Sequence, residues 1–472
     1  MDLDRNTCYT AVLARDRRFD GWFFVAVTST GIYCRTVCPV RAPKLDNCRF
    51  YPNAAAAERA GFRPCLRCRP ELAPGHGLLD VSRRLAQAAA ALIGAGFLNE
   101  GNLTALADRV GVSTRHLRRI FEAEFGVSPI EYAQTQRLLL AKRLLAETAL
   151  PAAQVALTSG FGSVRRFNDL FSRRYGFSPA RLRKRAVAAT ADADTLTLEL
   201  PYRPPFAWDA LLYILTGQAI GGVERVTHDS YLRALEVPHD GVHLTGWLRA
   251  THLPQRQALR IAVSSSLTLA VPSLLAQVRR FFDLDCRPDL IDSQLGKLAA
   301  STPGLRVPGA FDGFETALRA IALRQWSPVE AHGWLQRIAD TFGTPVAHAP
   351  EGLRRAFPRA EALVGVPAQV LSATGLPAHA VACVSTLAAE VAQQHVFLEP
   401  FTPLDETLAH LRNVVGLDEW SMQYIAMQAL GWPNAYPADA DAHADDGECW
   451  APWRAYAAQH VAYAAAQQAR AA

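Results

Sequence analysis

The feature that most constrains this chain is the crowding of its cysteines into one end of the sequence. Six of the nine cysteines lie within the first 70 residues. Four of them, Cys34, Cys38, Cys65 and Cys68, form two close pairs with the spacing C-x3-C-x26-C-x2-C. Tetrahedral zinc is held by two such pairs, because each pair of thiolates can bind the ion from one turn. The spacing predicts a Zn²⁺ site and fits a structural zinc ribbon and a reactive centre equally well.

The residues around these cysteines are more specific than the spacing. They include Asp20-Gly21, the run Thr-Gly-Ile-Tyr-Cys-Arg at 30–35, Asn47, Arg-Phe-Tyr at 49–51 and the run at 60–70. Together these stretches closely resemble the amino-terminal domain of the Ada family over nearly all of residues 1–75. The resemblance implies that Cys34 is both a zinc ligand and the acceptor of a methyl group from a methylated DNA phosphate. Cys38, Cys65 and Cys68 match the remaining ligands.

The chemistry of such a centre indicates a charge switch. Zinc keeps sulfur deprotonated at neutral pH, and a four-thiolate site carries a formal charge of about −2. Methyl transfer to Cys34 turns one thiolate into a thioether, so the domain repels DNA phosphates less. The reaction is expected once per molecule, because the methyl group stays on Cys34. We expect nearby arginines then to contact the phosphates: Arg35, Arg49, Arg63, Arg67 and Arg69.

The middle of the chain is basic and contains an internal repeat. Between Glu100 and Arg185 there are 15 Lys and Arg against 7 Asp and Glu, within an overall net charge of +5. The segment 111–121 and the Gly-Val-Ser-Pro that follows it recur about fifty residues later as 161–171 and Gly-Phe-Ser-Pro. Each unit predicts a short helix, a glycine turn, a serine N-cap and a second helix whose apolar positions face a core.

These twinned units resemble the AraC type of double helix-turn-helix domain over roughly residues 80–185. The resemblance implies two recognition helices, at about 114–125 and 164–175, that enter successive major grooves of double-stranded DNA. The expected contacts to bases or phosphates are Arg115, His116, Arg118 and Arg119 in the first helix, and Arg165, Arg166 and Asn168 in the second. The alternative is that these charges only solvate the outer helix faces.

From Leu196 onward the chain resembles AlkA-type 3-methyladenine DNA glycosylases of the helix-hairpin-helix superfamily. The matching stretches are 202–208, 281–286, 303–309, 416–420 and 450–456. The resemblance implies an enzyme that flips a damaged base into an aromatic pocket, where an aspartate supports cleavage of the glycosidic bond. Trp420 and Tyr424 match pocket aromatics, although such a pair at helical spacing also fits a core. Gln325 lies in the triplet that replaces the family's Gly-Gln-Gln near the minor groove.

This half also departs from the family pattern. The hairpin glycines become Gly416-Leu-Asp418, where Asp tolerates left-handed backbone geometry but its charge would oppose a phosphate. In the catalytic loop, Ala440 occupies the position of the catalytic aspartate, with Asp439 and Asp441 on either side. Without an aspartate facing the sugar, the transition state loses its main electrostatic support. Asp439 or Asp441 is therefore the candidate catalytic carboxylate, and both an active and an impaired glycosylase stay open.

We therefore expect a mainly α-helical, multidomain protein. Its parts are a small α+β zinc domain (1–75), an all-α double helix-turn-helix domain (80–185), an α+β AlkA-like N-terminal subdomain (195–305) and an all-α helix-hairpin-helix domain (306–472). The charged start of the chain, and the lack of any apolar run near the ~18 residues of a membrane helix, predict a cytoplasmic protein acting at the nucleoid.

The expected partners are damaged and operator DNA and RNA polymerase, and the expected state is a monomer. The leading interpretation is a regulator that repairs alkylated DNA. The alternative is a transcriptional regulator with a structural zinc and an inactive glycosylase fold that binds DNA or serves as a scaffold.

Overall fold

The protein is described by a computed structural model that covers residues 5–16, 19–52, 54–70, 78–183, 194–400, 402, 404–437 and 450–471. Within these residues the first part of the chain is a four-stranded sheet flanked by two helices. The elements are α1 (Arg5–Ala14), β1 (Phe24–Val27), β2 (Ile32–Cys34), β3 (Cys48–Tyr51), α2 (Ala54–Arg59) and β4 (Arg63–Pro64). The sheet order is β3-β1-β2-β4, and only the β2–β4 pairing is parallel. Because the two strands are parallel, β2 ends at Cys34 and β4 ends just before Cys65 on the same side of the sheet.

Two helix-turn-helix units follow and are joined by one long helix. The helices are α3 (Leu78–Gly94), α4 (Phe97–Glu100), α5 (Leu103–Arg109), α6 (Thr114–Phe125), α7 (Pro129–Glu147), α8 (Ala152–Thr158), α9 (Val164–Tyr175) and α10 (Pro179–Arg183). Ser113 and Ser163 cap α6 and α9 by accepting backbone N–H groups three residues ahead. Gly126 and Gly176 end the same helices in left-handed geometry. These caps confirm the helix boundaries that the repeat predicts.

A five-stranded antiparallel sheet with four neighbouring helices comes next. Its elements are β5 (Thr195–Pro201), α11 (Trp208–Gln218), β6 (Glu224–Val226), β7 (Ser230–His239), β8 (Val242–Leu253), β9 (Ala258–Ser264), α12 (Val271–Phe281), α13 (Pro288–Leu295) and α14 (Lys297–Ala300). The strand order is β5-β9-β8-β7-β6, so β5 is an edge strand. Helix α7 covers this edge, because Arg143 donates to the carbonyl of Glu199 and Glu147 accepts its N–H at 3.2 Å.

The second helix-turn-helix unit and this sheet share one hydrophobic core. Phe167 and Phe171 of α9 are fully buried in the same cluster as Leu198 of β5 and Leu274 of α12. The first unit contacts the last part of the chain, where the Arg109 guanidinium bonds Glu399 at 3.0 Å and lies over the Phe397 ring. The two helix-turn-helix units are therefore packed against the parts of the chain that follow them.

The last part is helical. Its elements are α15 (Gly313–Gln325), α16 (Pro328–Phe342), β10 (Thr344–Pro345), β11 (Arg355–Ala356), α17 (Ala368–Ala373), α18 (Ala378–Ala392), α19 (Leu404–Arg412), α20 (Glu419–Gln428) and α21 (Arg454–Ala471). They enclose a second large core that contains Trp334, Ile338 and Ile425. The mainly helical, multidomain fold class predicted from the sequence is confirmed. Among the described residues, no helix has the length and apolar character needed to cross a membrane.

The zinc domain packs against this helical part through aromatic side chains. The Trp432 ring lies 5.4 Å from the Trp22 ring and 6.2 Å from the Phe19 ring, measured between centroids. Trp432 follows α20 and precedes the segment that carries the candidate catalytic aspartates.

Candidate zinc centre and DNA-binding surfaces

The four predicted cysteine ligands meet at one point. Cys34 ends β2, Cys65 follows β4, and the Cys65 N–H donates to the carbonyl of Tyr33 at 3.0 Å. The four sulfur atoms all lie within 4.8 Å of one another. Cys38, Cys65 and Cys68 are only 8 to 9% exposed, whereas Cys34 is half-buried and the most accessible of the four.

The sulfur cluster fits a zinc ion. A tetrahedral ion with Zn–S bonds of about 2.3 Å places its ligands a little under 4 Å apart, within the observed limit. Hydrogen bonding to Cys38 and Cys68, together with burial, raises the pKa of the Cys34 thiol well above its ordinary range. The hydrogen bond from Cys34 lowers the pKa of Cys38 to about 2. Four sulfurs this close share protons unequally, and a divalent cation lets all four ionise together. The predicted Zn²⁺ is confirmed.

Arg35 corrects one sequence-based expectation. We expected it to contact DNA phosphates, but it is only 7% exposed. Its Nε donates to both carboxylate oxygens of buried Asp20 at 3.0 and 3.1 Å, and its terminal nitrogen also pairs with that carboxylate. The Arg35 backbone N–H reaches the Cys68 sulfur at 3.4 Å. The Arg35 guanidinium is therefore shielded from a duplex, since a buried guanidinium must be paired within the protein. Its bonds to Asp20 and to the Cys68 sulfur instead position the sulfur cluster.

The other basic candidates lie at the surface. In the zinc domain Arg49, Arg63, Arg67 and Arg69 are exposed. On helices α6 and α9 the exposed candidates are Arg115, Arg118, Arg119, Arg165, Arg166 and Asn168, and His116 is half-buried. Arg119 donates to the Nδ1 atom of His116 at 3.0 Å, which orients two of these side chains together. The placement suits contact with a phosphate backbone, and the individual roles stay predictions.

The two aromatic residues predicted to contact a flipped base, Trp420 and Tyr424, stack on each other, and a guanidinium lies over one of the two rings. Trp420 and Tyr424 stack on successive turns of α20 with ring centroids 5.2 Å apart and an interplanar angle of 17°. Tyr424 is buried, and Trp420 is half-buried. The Arg324 guanidinium also lies over the Trp420 ring, at 5.5 Å from its centroid.

The hairpin before α20 differs from the expectation for Asp418. Its backbone is extended, at φ −94° and ψ 174°, rather than left-handed, and its carboxylate caps α20 by accepting the Ser421 N–H at 2.9 Å. The Arg324 Nε bonds the same carboxylate at 2.7 Å. Gly416 does adopt a positive φ of 97°, and a Cβ there would lie 3.1 Å from the Cys383 Cβ. The charge of Asp418 is thus balanced within the protein.

The remaining predicted site residues are Gln325, Asp439 and Asp441. Gln325 is half-buried, and its Oε1 lies 2.7 Å from the His379 Nε2, so it ties α15 to the start of α18. Asp439 and Asp441, the candidate catalytic carboxylates, lie outside the described residues. Sequence reasoning missed the pairing of Arg324 with Asp418. The signal for it was that both positions depart from the family pattern.

Three comparisons with known families cover successive parts of the chain. Residues 7–71 match the metal binding domain of Ada, residues 106–185 a helix-turn-helix domain, and residues 197–312 the AlkA N-terminal domain. The fold and the sulfur cluster thus define a class of protein in which a zinc-thiolate domain precedes paired helix-turn-helix units and a glycosylase-type fold.

Similarity over nearly the whole chain identifies one family within this class. A probable bifunctional transcriptional activator/DNA repair enzyme AlkA of Mycobacterium tuberculosis is 34% identical over 97% of this chain and 96% of its own length. The chain belongs to this family of bifunctional activator and DNA repair proteins. DNA-3-methyladenine glycosylase 2 of Escherichia coli is 30% identical and aligns with 56% of this chain and 96% of its own length. The Ada protein of Escherichia coli is 37% identical over 34% of this chain and 45% of its own length.

Proposed function

We propose that this chain takes a methyl group from a methylated phosphate of double-stranded DNA onto Cys34 and converts that event into transcriptional regulation. One observation carries the proposal: Cys34, a half-buried residue whose sulfur belongs to the four-sulfur cluster, lies in a domain whose surface carries the exposed arginines Arg49, Arg63, Arg67 and Arg69. The relatives' names, which join transcriptional activation to DNA repair, support it.

The proposed step balances without a further reactant. The Cys34 thiolate attacks the methyl carbon, a carbon–sulfur bond forms, and the carbon–oxygen bond to the phosphotriester breaks. The electron pair of that bond stays on the phosphate oxygen, so the DNA leaves as an ordinary phosphodiester. Bound Zn²⁺ keeps the sulfurs deprotonated at neutral pH. Cys38, Cys65 and Cys68 hold the site, while Arg35 and Asp20 fix the turn that presents Cys34.

Mass spectrometry of peptides tests this step. After incubation with duplex DNA that carries methylphosphotriesters, we expect one methyl group on the Cys34 peptide and none in a Cys34→Ser variant. Cys48, which is buried outside the sulfur cluster, offers a matched control. The Cys48→Ser variant should still gain the methyl group at position 34. An unmodified Cys34 peptide in zinc-loaded protein would leave the rival interpretation, a regulator with a purely structural zinc.

The paired helix-turn-helix units are proposed to read operator DNA, and RNA polymerase is the proposed partner through which they activate transcription. We propose that the chain does this as a monomer in the cytoplasm, at the nucleoid. Helices α6 and α9 each present exposed basic residues in their first turns, where recognition helices meet base edges.

A double variant tests the DNA-binding face. Arg118→Ala with Arg165→Ala should weaken duplex binding about 10- to 100-fold at low salt, because each arginine neutralises phosphate charge. The slope of log Kd against log salt should fall by about 1 for each lost phosphate contact. Fluorescence anisotropy over a salt series measures both. Arg225→Ala, an exposed arginine of β6, serves as the control. Unchanged affinity and slope would show that these arginines only solvate the helices.

A second function, base excision, is proposed for the last part of the chain. The stacked Trp420–Tyr424 pair favours it, because flipped bases are read by stacking against aromatic side chains. Asp439 or Asp441 is the proposed carboxylate. Release of alkylated bases from duplex DNA should fall at least tenfold in Asp439→Asn or in Asp441→Asn. Release unaffected by either change would exclude both aspartates, and no release by the unaltered chain would favour lesion binding or a scaffold.

A further inference from the structure

A guanidinium cation lies over one aromatic ring of the proposed base site. The guanidinium carbon of Arg324, at the end of α15, is 5.5 Å from the centroid of the Trp420 ring. The same indole stacks with Tyr424 at 5.2 Å. An incoming base that stacks on Trp420 therefore meets a positive charge already in contact with that ring.

The Arg324 guanidinium also bonds Asp418, the residue that caps the start of α20. Its Nε bonds the Asp418 carboxylate at 2.7 Å, and that carboxylate is itself oriented by the Ser421 N–H at 2.9 Å. Although partial burial raises the pKa of Asp418, the bonds from Ser421 and Arg324 lower it on balance, so the carboxylate stays charged at neutral pH. Arg324, whose side chain is 39% exposed, is thus paired with the hairpin at the protein surface.

The charge of a damaged base decides how it interacts with such a wall. Purine nucleosides methylated at N3 or N7 carry a positive charge, whereas deaminated purines and deaza isosteres are neutral. An uncovered indole face attracts a cation, and this attraction favours charged bases over neutral ones of the same shape. A guanidinium over the ring already takes up that attraction and repels a second cation nearby.

We propose that Arg324 is a specificity-determining residue that makes this base site favour neutral damaged bases over cationic alkylated ones. The inference rests on the base site proposed above at Trp420 and Tyr424. It assigns a substrate preference to the two positions, 324 and 418, at which this chain departs from the glycosylase pattern together.

The test measures binding rather than cleavage, so it does not depend on the catalytic loop. The full chain is titrated with duplexes that carry either 7-methylguanine, which is cationic, or its neutral isostere 7-deaza-7-methylguanine, both as cleavage-resistant 2′-fluoro nucleotides. We expect the unaltered chain to bind the neutral isostere more tightly. In Arg324→Leu the ratio of the two Kd values should shift about tenfold towards the cationic base.

A second variant removes an ambiguity. Arg324→Leu leaves Asp418 unpaired, and that carboxylate could itself attract a cationic base. Arg324→Leu with Asp418→Asn removes both charges and keeps an N-cap residue for α20. This double variant should shift the ratio in the same direction. Arg354→Leu, which breaks the exposed Arg354–Asp340 pair elsewhere in the same half, should leave the ratio unchanged.

The outcomes separate the two levels of the proposal. Lesion binding that persists with an unchanged ratio in both the single and the double variant would overturn the role of Arg324 and leave the base site standing. A chain that binds neither modified duplex more tightly than undamaged DNA would overturn the base site, and the role of Arg324 with it.

Discussion

Removal of Zn²⁺ is expected to unfold the sheet of the zinc domain while the rest of the chain stays folded. Apart from the group formed around the four cysteines, the described residues of the domain form two small hydrophobic clusters, one around Phe19 and Phe23 and the other around Phe24 and Tyr33. A unit of this size is marginally stable without a metal or other cross-link. The pairing of β2 with β4 spans two residues on each strand and leads directly into the cysteines.

The expected loss is large because metal binding and folding are coupled. Structural zinc sites contribute about 10–16 kcal/mol in small domains at neutral pH. Hydrogen exchange measures the effect: after chelation, amides of β1 to β4 should exchange within the mixing time, whereas those of β7 and α15 keep their protection. Cys65→Ser should lose zinc at lower chelator concentrations than Cys48→Ser, its matched control. Full protection of β2 and β4 in zinc-free protein would contradict the expectation.

The bounds of α6 and α9 could be predicted from the sequence because the signals that set them are local. Ser113 and Ser163 before the helices, and Gly126 and Gly176 after them, specify start and stop through contacts within a few residues. The zinc ligands could be predicted equally well, because their spacing and residue type are contained in two short motifs. Signals of this kind do not depend on the remainder of the fold.

Contacts between distant segments escaped prediction for the opposite reason. A charged residue beside a cysteine motif looks solvent-exposed, and only the fold reveals that Arg35 lies buried against Asp20. Arg324 and Asp418 are 94 residues apart, so their spacing along the chain does not indicate that their opposite charges compensate each other. The core shared by α9 and β5 was likewise hidden, because hydrophobic periodicity shows which face is buried and does not identify its partner.

Arg233→Met is expected to destabilise the glycosylase-like half strongly. The Arg233 side chain is 4% exposed on β7 and bonds Glu224 at 2.9 Å, and it also pairs with Glu315 of α15. Arg319 bonds the same two carboxylates, at 3.6 and 3.1 Å. Two arginines thus balance two glutamates inside the protein, and this network joins the sheet to the helical part.

Loss of one arginine leaves a net negative charge on the two buried glutamates, where water cannot solvate it. Breaking a buried ion pair from one side costs about 3–5 kcal/mol, because the remaining charge stays desolvated. Urea unfolding followed by hydrogen exchange in β7 to β9 measures this cost. Arg225→Met is the matched control: Arg225, on β6, pairs with the exposed Glu351, and its loss should cost less than about 1 kcal/mol.

The pH dependence gives an independent check on the cause. Burial raises the pKa of Glu224, but Arg233 and Arg319 outweigh it and lower the pKa below its ordinary value. The contribution of Glu224 to stability is therefore present above its unfolded pKa of about 4.3 and is lost as the pH falls through the lower folded pKa. In Arg233→Met the folded pKa should rise, since one of the two opposing charges is gone. The difference in stability between the variant and the unaltered chain should then shrink as the pH falls from 7 towards 4, because protonation removes the unpaired charge. A difference that stays constant over that range would assign the loss to packing instead of charge.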